Sequence, residues 1–96
     1  MTHFKEKKGW KDFLKLCCKV NKEEEMHALF DLFFTIEEKE TLASRFLIIK
    51  ALLEGKLTQR EIAETFSVSI AQITRGSNAL KIISPALKEF LIKYND

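Results

Sequence analysis

Between Ile70 and Ile82 the chain carries Arg75 and Lys81 and no carboxylate. Sixteen Lys and Arg against fourteen Asp and Glu leave a net charge of only +2, so this cationic stretch is a matter of placement and not of bulk composition. Locally basic segments suit phosphate oxygens. Small Ala71 and the methyl-bearing Ile70 and Thr74 suit close approach to base edges and thymine methyls, whereas Gln59, Arg60 and Lys81 have the reach for phosphates or a guanine. The chemistry on offer is contact with double-stranded DNA, through backbone and base edges together.

Such contacts need two helices held at a fixed crossing, and the residues around them supply the layout. From Gln59 to Arg75 the sequence reads as a helix-turn-helix, with small Ala63 at the crossing and Ile62, Phe66, Val68 and Ile73 as its packing set. Small side chains let the helices approach, and the apolar ones fix the angle, leaving one face of the second helix free for a major groove. Thr58 with Glu61 has capping-box spacing and predicts a short helix ending near Phe66; Ser69 is placed to cap another from Ile70. The motif thus occupies about residues 59–82. An ordinary helical hairpin would show the same short pattern, and it stays open on the pattern alone.

The remainder of the chain is predicted to be helical too. One proline and three glycines interrupt 96 residues, and strict polar/apolar alternation is scarce. Trp10, Phe13, Leu14 and Cys17 recur at helical spacing, as do Met26, Leu29, Phe30 and Phe33, and Glu23-Glu24-Glu25 suit the positive end of a helix dipole. Thr35 with Glu38 opens a long central helix that runs to Gly55, whose missing Cβ allows a left-handed stop. Its second half, Phe46 to Ile49 and Ala51 to Leu53, is apolar nearly all round and demands burial on more than one side. In so short a chain a core shared between molecules is the economical explanation. Ser84-Pro85 opens the last helix, in which Leu87, Phe90, Leu91 and Tyr94 form the expected buried stripe. The expectation is an all-α, six-helix, single domain over residues 1–96.

Other chemistries find little footing. His3 and His27 stand in weak contexts, no Gly-rich phosphate loop is present, and the adjacent Cys17 and Cys18 lack metal-ligand spacing, so neither an enzyme nor a metal site is expected. Consecutive Cα atoms lie about 3.8 Å apart, too close for an ordinary disulfide, which makes the two cysteines reduced core thiols in expectation. Trp10 reads as a core residue. Without a bilayer-length apolar run or a secretory start, the expected location is cytoplasmic, with no membrane partner.

The run Leu57-Thr58-Gln59-Arg60-Glu61, followed by Ile73-Thr74-Arg75-Gly76-Ser77-Asn78-Ala79-Leu80-Lys81, closely resembles the tryptophan operon repressor family. Thr35, the Ser44-Arg45 pair and the Ser84-Pro85 start fall in the same register, so the resemblance covers roughly Leu32 to the C-terminus. It implies an intertwined homodimer of six-helix subunits that binds operator DNA as a repressor with L-tryptophan as corepressor. By the same resemblance the indole lies between the guanidinium groups of Arg45 and Arg75, with Gly76 letting the ring sit against the helix. Thr35 and the Leu32 and Phe34 backbone region then come from the other subunit. Planar guanidiniums stack on aromatic faces and can pair with a carboxylate, so the implied chemistry is sound. Taken without the family, Arg45 has a duller reading as an arginine that snorkels or pairs with an acid.

Four positions depart from the family pattern. Ser67 and Ser69 stand where glycines are common in the turn, Gln72 replaces a smaller residue beside the implied ligand, and Ala79 stands where a serine hydroxyl would meet the ligand amine. An indole lacking that amine is therefore a second ligand class. Two rival readings also remain: a helix-turn-helix DNA-binding module without a small-molecule switch, resembling that of replication initiators, and a helical interaction protein that never touches DNA.

Overall fold

The computed structural model describes the backbone of residues 2–94 and the side chains of residues 6–94. Among the described residues there are six α-helices and no strand: α1 (Thr2–Lys19), α2 (Glu23–Phe33), α3 (Ile36–Glu54), α4 (Gln59–Phe66), α5 (Ile70–Ile82) and α6 (Pro85–Lys93). The chain divides into two compact units, Met1–Ile36 and Glu37–Asp96.

In the first unit, α1 and α2 share an aromatic cluster centred on Phe13. Its ring meets Phe33 edge-on at 5.2 Å and Phe34 at 6.2 Å, with Phe30 at 6.4 Å and Trp10 at 6.0 Å between centroids. Offset and edge-to-face pairs of this kind exploit the ring quadrupoles. Even so, no described side chain of this unit is fully buried. Trp10, expected in the core, is 61% exposed, because it sits at the margin of the cluster. The two thiols part company in the same way: Cys17 is half-buried, Cys18 is exposed, and both are free. Successive positions on a helix point about 100° apart, so the two thiols meet different surroundings.

The second unit has a compact core in which α3, α4 and α5 meet. Ile48, Ala51, Ile62 and Ile73 are buried, and Leu52, Ala63, Phe66 and Val68 pack against them. The helix ends are set locally, as their residue types require. Gly55 stops α3 in the left-handed region at φ 68°. At the start of α4 the Thr58 backbone N–H donates to Glu61 Oε1 at 2.8 Å, and the Glu61 N–H donates back to Thr58 Oγ1 at 3.1 Å. The Thr58 backbone N–H, and then its side chain, hold the Glu61 carboxyl below the ordinary carboxylate range. A serine at the far end of α4, Ser67, takes a left-handed conformation at φ 53°, the one non-glycine with positive φ among the described residues. Ser84 caps α6, accepting from the Leu87 N–H at 3.2 Å with Pro85 in the first turn.

The stripe expected to be buried on α6 is not buried within the chain. Leu91 alone is half-buried, and Leu87, Phe90 and Tyr94 are exposed. On α3, Phe46 and Leu47 are exposed as well, because α4 and α5 cover only the side that carries Ile48 and Ala51. The apolar girdle of α3 is thus covered on one side.

Candidate ligand cleft and nucleic-acid interface

One face of α3 and one face of α5 enclose a cleft of about 340 Å³, lined by Thr41, Arg45, Ile48 and Ile49 from α3 and by Gln72, Arg75, Gly76 and Ala79 from α5. The spacing explains the set. The α3 residues fall at i, i+4, i+7 and i+8 and the α5 residues at i, i+3, i+4 and i+7, so each quartet is a single helix face. This volume lies near the lower end of the roughly 300–1,000 Å³ usual for small-molecule sites. Its floor is apolar, from Ile48 and Ile49, and its walls carry one guanidinium from each helix.

At Gly76 α5 lies close against α3. A Cβ built there would lie 3.1 Å from Ile48 Cγ2 and 3.5 Å from both Ile49 Cδ1 and Leu52 Cδ1. Since Ile48 is itself buried, it has little room to give. Glycine in mid-helix costs about 1 kcal/mol relative to alanine, and here that cost is matched by the approach of α5 to α3. Tight helix packing therefore gives Gly76 a reason of its own, besides any ligand.

Five residues singled out from the sequence for ligand contact, Arg45, Arg75, Gly76, Gln72 and Ala79, are brought together in this cleft. The other three, Leu32, Phe34 and Thr35, belong to the Met1–Ile36 unit and are the ones expected from a second subunit. Leu32 and Thr35 are exposed there, and the Phe34 ring stands edge-on to Phe13 and Phe30. Thr41, Ile48 and Ile49 were not anticipated as lining residues. Their signal was available only as the i−4, i+3 and i+4 neighbours of Arg45 on a helix.

Gln72 has a second attachment. Its Oε1 accepts from the Ser69 backbone N–H at 3.0 Å and from Ser69 Oγ at 3.3 Å, while Ser69 Oγ accepts from the Gln72 N–H at 3.1 Å. A complete capping box therefore opens α5. Two of the departures from the resembled pattern thus form one local device, since serine is among the best N-cap residues and a long amide at the third helical position can reach back to it. The same Gln72 side chain borders the cleft.

The residues expected to face DNA are all exposed: Gln59 and Arg60 in the first turn of α4, and Ile70, Ala71, Thr74 and Lys81 on α5. At 100° per residue their face on α5 lies about 150° around the helix from the cleft face. Buried Ile62 and Ile73 lock α4 to α5 in the same core, so the exposed face is carried on a rigid hairpin whose back wall is the cleft.

A profile of the family described as Trp repressor protein matches residues 8–95 of the chain. The chain belongs to the Trp repressor family. Among its relatives, the Trp operon repressor homolog of Chlamydia caviae is 61% identical over 87 residues, spanning 91% of this chain and 86% of that protein. The Trp operon repressor homolog of Chlamydia trachomatis serovar D is 60% identical over 88 residues, 92% of this chain and 94% of that protein. A more distant one, from Vibrio parahaemolyticus, is 37% identical over 91 residues, 95% of this chain and 88% of that protein. Membership in the Trp repressor family makes the chain an all-α, helix-turn-helix regulator of transcription that binds DNA, and not an enzyme. Among the described residues no group of three or more His, Cys, Asp or Glu is placed to hold a metal ion, and no helix is long and apolar enough to cross a membrane.

Proposed function

We propose that the chain is a homodimeric, cytoplasmic repressor whose hold on operator DNA is switched on by L-tryptophan, and that it controls genes of tryptophan metabolism. The observation that carries this reading is the cleft itself: Arg45 and Arg75 on facing helices, above an apolar floor, behind the exposed face of α5. Two guanidiniums can stack on the faces of a planar aromatic, and either can take a carboxylate through paired hydrogen bonds. Both relatives from Chlamydia carry the name Trp operon repressor homolog, which supports the choice of ligand. Leu32, Phe34 and Thr35 of a second subunit are proposed to complete the site, with residues 1–96 acting as one functional domain.

The switch follows from population shift. A ligand seated between α3 and α5 favours the orientations of the α4–α5 hairpin that leave room for it, and it can shift that equilibrium only by its difference in affinity between orientations. Helix-turn-helix dimers read half-sites about one turn of DNA, roughly 34 Å, apart, so a fixed hairpin angle on each subunit sets the spacing. Every tenfold gain in operator affinity requires about 1.4 kcal/mol of that difference.

Calorimetric titration with L-tryptophan tests the reading, with indole and L-phenylalanine as controls. One site per subunit is expected, abolished in Arg45→Ala and in Arg75→Ala while both variants keep the far-ultraviolet spectrum of the parent, because both side chains are exposed. Full ligand binding in either variant would sink the two-guanidinium site. Equal heat from indole and L-tryptophan would assign an indole-class ligand, consistent with Ala79 offering the amine no hydroxyl. No heat from any of the three would leave a DNA-binding module without a switch.

A further inference from the structure

The first helix carries a charge pattern that neither the cleft nor the helix-turn-helix uses. Residues 1–22 hold seven lysines and two carboxylates, a net of +5, so the rest of the chain must sum to −3 to give the overall +2. On α1, Lys8, Lys11, Lys15 and Lys19 follow one another at steps of three, four and four, which places all four within about 80° of one another around the helix axis. Each is exposed. The one carboxylate beside them, Asp12, is bound to Lys8 at 2.8 Å; that contact holds the Asp12 carboxyl below its ordinary range and raises the Lys8 ammonium above its own. Lys15 adds a weaker, longer-range attraction to Asp12, but no close ion pair engages Lys11, Lys15 or Lys19 among the described residues.

We propose that this lysine face of α1 is a second DNA-contacting surface that grips the phosphate backbone of duplex DNA without reading its sequence. The proposal rests on the reading that the chain binds duplex DNA. Lysines on a helix at i and i+4 present point charges about 6 Å apart along the axis, facing a duplex that carries one negative charge per roughly 1.7 Å of its length. Lysine supplies charge without the planar fork that arginine uses on guanine, so the face positions and does not specify. The Glu37–Asp96 unit, which holds the helix-turn-helix, has nine basic and eight acidic residues and only +1 of net charge to offer DNA. A basic amphipathic helix can also lie on an anionic membrane, but that needs a free apolar face. Here Phe13, near the centre of the opposite face, packs against Phe30, Phe33 and Phe34 while Trp10 and Leu14 stay exposed, so vesicles are the competing arm of the test and the DNA binding of the family favours the duplex.

The test uses the full chain and a triple variant, Lys11→Gln, Lys15→Gln and Lys19→Gln, with a Lys→Arg triple as the charge-keeping control. Association with a duplex of arbitrary sequence is measured from about 50 to 200 mM salt. Three lost phosphate contacts should flatten the slope of log K against log salt by about 2.7 per chain, so that over this range the Gln triple loses roughly 40-fold less affinity than the parent. The Arg triple should keep the parental slope. An unchanged slope in the Gln triple, in a protein that still binds the duplex, overturns the α1 surface and leaves the repressor reading intact. Loss of binding to phosphatidylserine vesicles with no change on DNA also overturns it, in favour of a membrane. A parent protein that binds no duplex at any salt overturns the repressor reading and the α1 surface together.

Discussion

In the α4–α5 hairpin Ile62 and Ile73 are closed off from solvent, and both helices open on reciprocal capping boxes. The Met1–Ile36 unit is built from richer apolar material, with six of the nine Phe and Trp residues of the chain. Yet none of its described side chains is fully buried, and Trp10, Leu14, Leu32 and Phe33 remain exposed. Apolar content alone therefore does not make a core. The hairpin spends few residues and closes on itself; the first unit gathers rings around Phe13 and leaves their outer faces uncovered. Exposed apolar surface of that extent marks a place for another chain, which is where the proposed homodimer draws its support. α6 and the outer side of α3, with Phe90, Tyr94, Phe46 and Leu47 exposed, side with the first unit in this respect.

The contrast can be broken most directly by truncating one side chain in each region. Ile62→Ala should cost about 2–5 kcal/mol of unfolding free energy by denaturant titration, since it empties a site with no access to solvent. Trp10→Ala, at the exposed margin of the first unit's cluster, should act chiefly on association, raising the dimer dissociation constant about tenfold or more by sedimentation. Equal effects of the two on association would erase the distinction between a closed hairpin and an uncovered unit. Next in size comes the cap of α5. Ser69→Ala should cost about 1 kcal/mol and speed amide hydrogen exchange in the first turn of α5; exchange unchanged there would mean that the Ser69–Gln72 box holds nothing the helix lacks without it.

The smallest effect concerns pH. The Glu61 carboxyl lies below its ordinary range in the folded hairpin, held chiefly by the Thr58 backbone N–H. Its contribution is therefore fully present above the unfolded carboxylate pKa and is lost as pH falls through the lowered folded value. Urea midpoints of Glu61→Gln should fall less steeply than those of the parent over about pH 5 to 2. Parallel acid limbs would mean that other carboxylates dominate. At the start of α2, by contrast, Lys22 in the N-cap position supplies no side-chain hydrogen bond.

What could be read from the sequence follows the range of the interactions. Thr58, Ser69 and Ser84-Pro85 mark helix starts through contacts three residues long, and the structure begins α4, α5 and α6 immediately after each of them. The packing set of Ile62, Ala63, Phe66, Val68 and Ile73 was legible because a helical hairpin is nearly as local. Arg45 and Arg75 are thirty positions apart, and only the family resemblance linked them before the cleft did. Thr41 escaped because nothing in the sequence says which face of α3 meets α5. Trp10, Phe90 and Tyr94 were expected inside for a related reason: periodicity reveals which residues share a face, and not what covers it.

Ser67 has a consequence of another kind. At φ 53° it holds the corner between α4 and α5 in a conformation that glycine enters freely and that a residue bearing Cβ reaches only through a narrow gate. A glycine corner behaves as a loose joint, able to absorb a small rotation of one helix without passing it to the next. The serine corner has far less play, so a displacement imposed on α5 at its rear reaches α4 with little slack. In the language of linkages, the hairpin is a stiff crank, and its fidelity in transmitting a small push depends on a residue that touches neither the cleft nor the expected DNA-facing set.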